Sequence, residues 1–204
     1  MTQATLTDFD TLSYYQAAAP VYRGSGPEGT NRFLKDFLDH LPRGARILDL
    51  GCGGGHDSGE MIRRGFDVTA CDGSTTIARQ AESRIGQTVQ VLRFQDLAFD
   101  QTFDAIWASA SLLHVPRPAL TQILARVHRA LRPGGWHLAT YKAQGTEGRD
   151  SAGRYFNHLT VDDAHHRYQT AAAWQDLSVT SYSGGGYENA TSGPWICVRA
   201  RAAG

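Results

Sequence analysis

Apolar positions along this chain follow two alternating periods. Phe33, Leu34, Phe37, Leu38 and Leu41 share one helical face, and Pro42 closes that helix. Residues 46–50 then form a short apolar run with strand character. A short helix follows over 57–64, stopped by Gly65 in the position where a left-handed residue ends helices. Residues 66–71 read as a second strand running into Asp72-Gly73. Ser74 or Thr75 is placed to cap the next helix, which carries Ile77, Ala78 and Ala81. Strands are predicted over 89–94 and 103–108. Leu120, Ile123, Leu124, Val127 and Leu131 recur at helical spacing over 118–131, closed by Arg132-Pro133-Gly134-Gly135. A fifth strand covers 136–141, and two more cover 174–182 and 194–200 with a Gly-rich link at 183–186.

Strand–helix alternation of this kind predicts a parallel sheet covered by helices on both faces, an α/β doubly wound architecture. Ligands of such sheets lie at the carboxyl ends of the strands, near the point where strand order reverses. The first strand should be central. No internal repeat or linker divides the chain, so residues 1–204 are expected to form one domain. The polar, Gly-rich loop 143–152 is expected to be a mobile loop over the substrate.

Composition narrows the function classes. The chain has 204 residues, with 41% hydrophobic and 20% charged residues, enough apolar content for a full core. Lys+Arg and Asp+Glu are both 20. That balance lacks the broad positive field that drives nucleic-acid binding, and no nucleic-acid partner is expected. Cys52, Cys71 and Cys197 lie far apart with no C-x-x-C pair, which argues against zinc and disulfides and fits a reducing compartment. The first residues carry neither a basic segment nor an apolar run, and no stretch has membrane-span length. A cytoplasmic location is expected, with no membrane partner.

The chemistry concentrates at Leu48-Asp49-Leu50-Gly51-Cys52-Gly53-Gly54-Gly55, a strand running into a glycine turn. Glycine tolerates positive φ and lets a backbone approach a ligand closely. The dinucleotide fingerprint G-x-G-x-x-G fails at its third glycine, where His56 stands. Asp49, just ahead of the turn, would repel a pyrophosphate and attract a cation. Asp72, ending the second strand, is placed to bond a ribose hydroxyl pair. Together they ask for a ligand with a ribose, a positive charge and no essential phosphate. S-adenosylmethionine has all three features.

The same residues resemble motif I of class I S-adenosylmethionine-dependent methyltransferases. The segment 68–74 resembles the family's ribose motif, 94–97 its adenine segment, 103–114 its fourth-strand motif, and 129–135 its turn into the fifth strand. Tyr15 and Tyr22 resemble a capping segment within 1–29 that closes over the cofactor. Leu112-Leu113-His114-Val115-Pro116 and Gly148-Arg149-Asp150 look most like the small, tellurite-resistance-like bacterial branch. The resemblance implies a Rossmann-like, seven-stranded, mostly parallel sheet whose last strand, at 194–200, is antiparallel. It implies cofactor contacts from Tyr15, Tyr22, Asp49, Gly51, Gly53, Gly55, Asp72, Gly73, Ser74, Gln95, Asp96, Leu97 and Ala108. One departure is Gly73-Ser74-Thr75-Thr76, where acidic or apolar residues are commoner; it bears on how the adenine edge is packed.

His114 follows the fourth strand where a methyl acceptor should arrive, and is the candidate general base. Tyr141 is a second catalytic candidate, expected on the same rim with Lys142. Arg149, Arg154 and Tyr155 are candidates for the acceptor pocket beside His114 and Lys142, favouring an anionic or aromatic acceptor. Trp107 reads as core, Cys52 and Cys71 as packing, and His165-His166 as a solvated helix face with no metal role. The expected activity is methyl transfer from S-adenosylmethionine to a small molecule. Methylation of RNA or protein, and binding of the donor without catalysis, remain open alternatives.

Overall fold

The computed structural model describes residues 8–18, 29–185 and 192–204. The chain runs α1 (Phe9–Ala18), α2 (Leu34–Asp39), β1 (Arg46–Leu50), α3 (His56–Arg63), β2 (Asp67–Asp72), α4 (Thr75–Ile85), β3 (Gln90–Val91), β4 (Phe103–Ala108), α5 (Arg117–Ala130) and β5 (Leu131–Lys142). It continues through β6 (Gly148–Arg149), β7 (Tyr155–Phe156), α6 (Val161–Ala171), β8 (Trp174–Gly184) and β9 (Gly193–Ala202). Seven strands form one sheet in the order β3-β2-β1-β4-β5-β9-β8. Strands β1 to β5 pair in parallel, and β9 runs antiparallel between β5 and β8. The fold is the α/β, Rossmann-like, mostly parallel sheet expected, with the strand at the chain's end antiparallel.

Strand β1 sits between β2 and β4, so the winding reverses beside it and a cleft opens at its carboxyl end. The pleat of β1 and β4 shows why both strands are mostly apolar. Ile47, Ala105 and Trp107 point to the side of α2 and α3, where they meet Leu34, Phe37, Leu38 and Met61. Leu48, Leu50, Ile106 and Ala108 point to the opposite side, against Leu120, Ile123, Leu124 and Val127 of α5. A strand buried on both faces has no polar alternation. Each of those four fully buried α5 side chains stabilises the fold by roughly 1.5–3 kcal/mol.

Local signals account for the helix ends. Ser74 caps α4 by accepting from the Ile77 amide, and Gly86 ends it in the left-handed region. Thr160 and Asp163 form a reciprocal capping box on α6.

Three elements depart from expectation. The third strand is only Gln90–Val91, not 89–94, and Phe94–Asp96 form a 3₁₀ turn. The sheet ends there: the Leu92 amide makes a last bond to the Asp72 carbonyl at 2.9 Å, and Leu92 and Phe94 pack on the main core. Strand β5 starts at Leu131 instead of 136, passing through Pro133-Gly134-Gly135 with a register shift against β4. The loop expected over 143–152 is partly a strand, since Gly148–Arg149 pairs with Tyr155–Phe156 in a two-stranded hairpin.

Candidate active site

The glycine turn after β1 folds back onto β2. The Gly51 and Cys52 amides both donate to the Cys71 carbonyl, at 3.0 and 2.8 Å. Gly51 has φ +83°, and a Cβ there would lie 2.5 Å from the Ser111 Cβ. Ser111 is held in that position by donating its hydroxyl to the Leu50 carbonyl at 2.6 Å. Gly55 has φ +78° and caps α3, and a Cβ there would lie 3.1–3.3 Å from Ile85 and Ala81 of α4. Its smallness serves helix packing. Gly53 is the glycine tied to a candidate ligand group, because its amide donates to Asp72 Oδ2 at 3.1 Å.

Three carboxyl groups lie beneath and beside this turn. Asp49 is 2% exposed and accepts from the Ser58 hydroxyl at 2.5 Å. Burial, followed by the charges of Asp57 and Asp72, pushes its carboxyl up to about 8. Asp57 is buried, accepts from Trp107 Nε1 at 2.9 Å and the Asn31 amide at 2.8 Å, and is also raised by burial. Asp72 accepts from the Gly53 and Ser74 amides, and burial outweighs them, pushing it up to about 6. Carboxyls held away from their ordinary range by burial are stabilised when a cation arrives. Asp72 is oriented by two backbone donors, which leaves lone pairs for hydroxyls of a ligand. This donor set fits a cationic nucleoside such as S-adenosylmethionine.

The remaining candidates on the donor side fall differently. Ser74 is buried, and its hydroxyl donates to Gln16 of α1 at 2.9 Å. Leu12 of α1 lies 3.2 Å from where a Gly73 Cβ would be. Leu97 and Ala108 are fully buried, which leaves them apolar packing or backbone contacts. Gln95 is partly buried, whereas Asp96 is exposed and paired with Arg93 at 2.6 Å. Tyr22 lies outside the described residues.

On the acceptor side, His114 Nδ1 lies 2.7 Å from the Tyr155 carbonyl, so Nδ1 carries the proton and donates. Nε2 is therefore an acceptor, and Tyr15 of α1 donates its hydroxyl to it at 3.0 Å. Burial, with help from Arg154 and Lys142, lowers the imidazole to about 4 and keeps it neutral. Phe156 packs on the ring with centroids 4.8 Å apart. Lys142 also stands over the Phe156 ring, its Nζ 3.8 Å from the ring centre.

The pocket expectations divide. Arg154 is buried, grips Asp150 with two bonds of 2.9 and 2.7 Å, and lies over the Tyr14 and Phe156 rings. Arg149 is drawn to α1 instead, pairing with Asp8 at 2.6 Å and Asp10 at 3.2 Å. Tyr155 turns its hydroxyl to Glu147 and to the Arg117 amide, so it meets His114 through its backbone. Tyr141 is not on the rim: it is fully buried and donates to the Tyr168 hydroxyl at 3.0 Å. Tyr168 in turn donates to His137 Nε2 at 2.9 Å, because His137 Nδ1 is committed to the Ile106 carbonyl. Strand pleating sends Tyr141 into the core toward α6.

Sequence reasoning overlooked several residues. Ser111 and Phe94 both lie against Gly51, the latter 3.7 Å from its Cβ position. Asn157 holds the loop before α5 by donating to the carbonyls of Leu112 and Val115. Asn31 links the Asp57 carboxylate to the Ser109 hydroxyl. Only Ser109 and Ser111 carried a signal, as small polar residues just past β4 at the carboxyl edge. Trp107 is core, as read from its mid-strand place. Among the described residues no group of three or more metal-ligating side chains converges, and no helix is long and apolar enough to cross a membrane.

A family model for a methyltransferase domain matches residues 47–135. Over 99 residues the chain is 42% identical to a ubiquinone biosynthesis O-methyltransferase of Xanthomonas oryzae, covering 45% of this chain and 41% of that protein. The chain thus spans about two fifths of the length of the curated relatives it matches first. An S-adenosylmethionine-dependent methyltransferase from Methanosarcina mazei superposes with TM-score 0.72 at 18% identity, covering 86% of this chain and 99% of that one. A 1,6-didemethyltoxoflavin-N1-methyltransferase from Burkholderia thailandensis, solved with its substrate and S-adenosylhomocysteine, gives TM-score 0.65 at 20% identity, covering 96% and 81%. Residues 47–135 thus match a methyltransferase domain, and the chain has the fold of S-adenosylmethionine-dependent methyltransferases.

Proposed function

We propose that this protein transfers a methyl group from S-adenosylmethionine to a small-molecule acceptor, as a single domain with α1 as part of a cap over the site. The observation that carries this reading is the pair of carboxyls raised by desolvation, buried Asp49 and half-buried Asp72, on either side of the Gly51–Gly55 turn. The bound donor would supply a methyl carbon already activated by its sulfonium. Asp72 would take the ribose hydroxyls, with Gly53 and Ser74 holding its carboxylate in place. Asp49 would supply negative charge under the cationic end. Gln95, Asp96, Leu97 and Ala108 would border the adenine.

His114, neutral and with Nε2 as an acceptor, would receive a proton from the incoming group. Alignment of donor and acceptor would do most of the catalysis, since well-oriented reactants can supply about 7–11 kcal/mol of the barrier. The O-methyltransferase names of the curated relatives favour oxygen as the accepting atom over the tellurium suggested by the Leu112-Leu113-His114-Val115-Pro116 resemblance. The three free cysteines fit work in a reducing compartment such as the cytoplasm.

Titration calorimetry tests the donor site. S-adenosylmethionine should bind, and Asp72→Ala should weaken it at least about tenfold, the roughly 1.4 kcal/mol expected for a lost charge-assisted pair. Unchanged affinity in that variant would remove Asp72 from the site, and binding of NADH in its place would return the chain to the oxidoreductases.

A further inference from the structure

Tyr15 sets the protein's own phenol against His114. Its hydroxyl occupies the one face of His114 that can accept a proton, at 3.0 Å from Nε2. The Arg154 guanidinium acts on the same hydroxyl oxygen, and Asp72 is close enough to be felt there. The hydroxyl thus meets both a base, His114, and a cation, Arg154. Aromatic rings pack against both partners. Phe156 packs on His114, and Tyr14 stands edge-on to Tyr15 with centroids 5.2 Å apart.

Helix α1, which carries Tyr15, is held down by polar ties. Arg149 grips Asp8 and Asp10, the Thr11 hydroxyl accepts from the Tyr155 amide at 2.7 Å, and Gln16 is bonded by Ser74 and Thr76. Phe9 is left 55% exposed. Polar ties of this kind exchange for water at roughly 0.5–1.5 kcal/mol each, unlike a buried apolar face. A helix so held can lift without unravelling the core.

We infer that Tyr15 holds the place of an aromatic hydroxyl: a phenolic acceptor displaces it from His114 Nε2 as α1 lifts, and then bonds to His114 and Arg154 as Tyr15 does now. The inference rests on the methyl-transfer reading above and names its acceptor class. The acceptor's O–H bond breaks with its proton passing to Nε2, the new O–CH3 bond forms as the S–CH3 bond breaks, and the proton leaves to water afterwards. The low basicity of this buried imidazole suits an acidic hydroxyl such as a phenol better than an aliphatic alcohol.

The test uses the full chain saturated with S-adenosylhomocysteine and two matched probes, 4-methylphenol and 4-methylanisole, the second unable to donate. Wild type should bind the phenol at least about tenfold more tightly, a gap of roughly 1.4 kcal/mol. Tyr15→Phe should tighten the phenol severalfold and leave the ether alone, because the internal competitor is gone. Arg149→Gln, which removes the ion pairs to Asp8 and Asp10, should act in the same direction by loosening α1. His114→Gln should close the gap between the probes. Equal affinity for the two probes in wild type, or no gain for the phenol in Tyr15→Phe, overturns the inference. Failure to bind S-adenosylhomocysteine at all would instead overturn the reading of the donor site.

Discussion

The Ser111 hydroxyl donates to the Leu50 carbonyl at 2.6 Å, and this bond brings the loop after β4 onto the glycine turn after β1. The two carboxyl edges that bound the cleft are thereby locked together, and Gly51 is the residue that leaves room for it. Gly51→Ala forces a Cβ to within 2.5 Å of Ser111 at a φ of +83°. A loss of about 2–4 kcal/mol in unfolding free energy is expected from strain and overpacking combined. Denaturant unfolding of Gly51→Ala and of Gly51→Ala with Ser111→Gly checks it. The second change should recover only the steric part, since the left-handed backbone remains strained.

The raised carboxyl of Asp49 sets a pH dependence. Its folded value of about 8 exceeds its ordinary value of 3.8, so between those limits the folded state binds a proton that the unfolded chain has lost. Its contribution to ligand-free stability is full below pH 4 and is lost as pH rises toward 8. Buried His114 and His137, both lowered to about 4, act in the opposite sense below their ordinary 6.5 and are silent above it. The Asp49 effect therefore stands clear between pH 6.5 and 8. Across that window S-adenosylmethionine should bind more tightly as pH rises, and Asp49→Asn should flatten the profile. Calorimetry in two buffers of different ionisation heat would show proton release on binding in wild type alone.

Tyr141 and Tyr168 should behave as structural residues. Tyr141→Phe removes one donor from a buried chain and is expected to cost about 1 kcal/mol. Tyr168→Phe leaves His137 Nε2 without its donor and strands the Tyr141 hydroxyl, at roughly 1–3 kcal/mol. Thermal unfolding should rank them in that order. Affinity for S-adenosylhomocysteine should stay within about twofold in both, well under the 1.4 kcal/mol of a tenfold change.

Asn157 braces the segment that carries His114. Its side-chain amide serves two carbonyls from a fully buried position, and its backbone amide serves the Leu113 carbonyl. Asn157→Ala leaves the Val115 carbonyl unserved and the Leu112 carbonyl with the Val115 amide alone, and should destabilise the fold by about 1–3 kcal/mol. Amide hydrogen exchange should show faster opening over residues 112–115, with protection of β1 and β2 unchanged.

Much of the fold was legible because its signals are local. Strands β1 and β4 are apolar on both faces, α5 repeats its apolar residues at helical spacing, and Ser74 and Gly65 punctuate helix ends where such residues do. The short third strand was not legible, since how far Leu92 and Phe94 continue the pairing depends on where the sheet runs out. Nor could residues 143–152 reveal the hairpin, whose pairing lies outside that stretch.

The candidate site divides along the same line. Sequence alone determined the central strand, the glycine turn, and the acidic residues Asp49 and Asp72 at the strand ends. Those follow from order along the chain and from the period of two that buries both faces of β1. Tertiary structure decided which side chains meet. Pleating turned Tyr141 into the core, ion pairing drew Arg149 to α1, and packing set Ser111 against Gly51. Tyr15 and His114 stand 99 positions apart, and their bond exists only because the fold brings α1 against the segment after β4. Periodicity records which face a residue shows its own element; contacts between distant elements depend on how those faces close on one another.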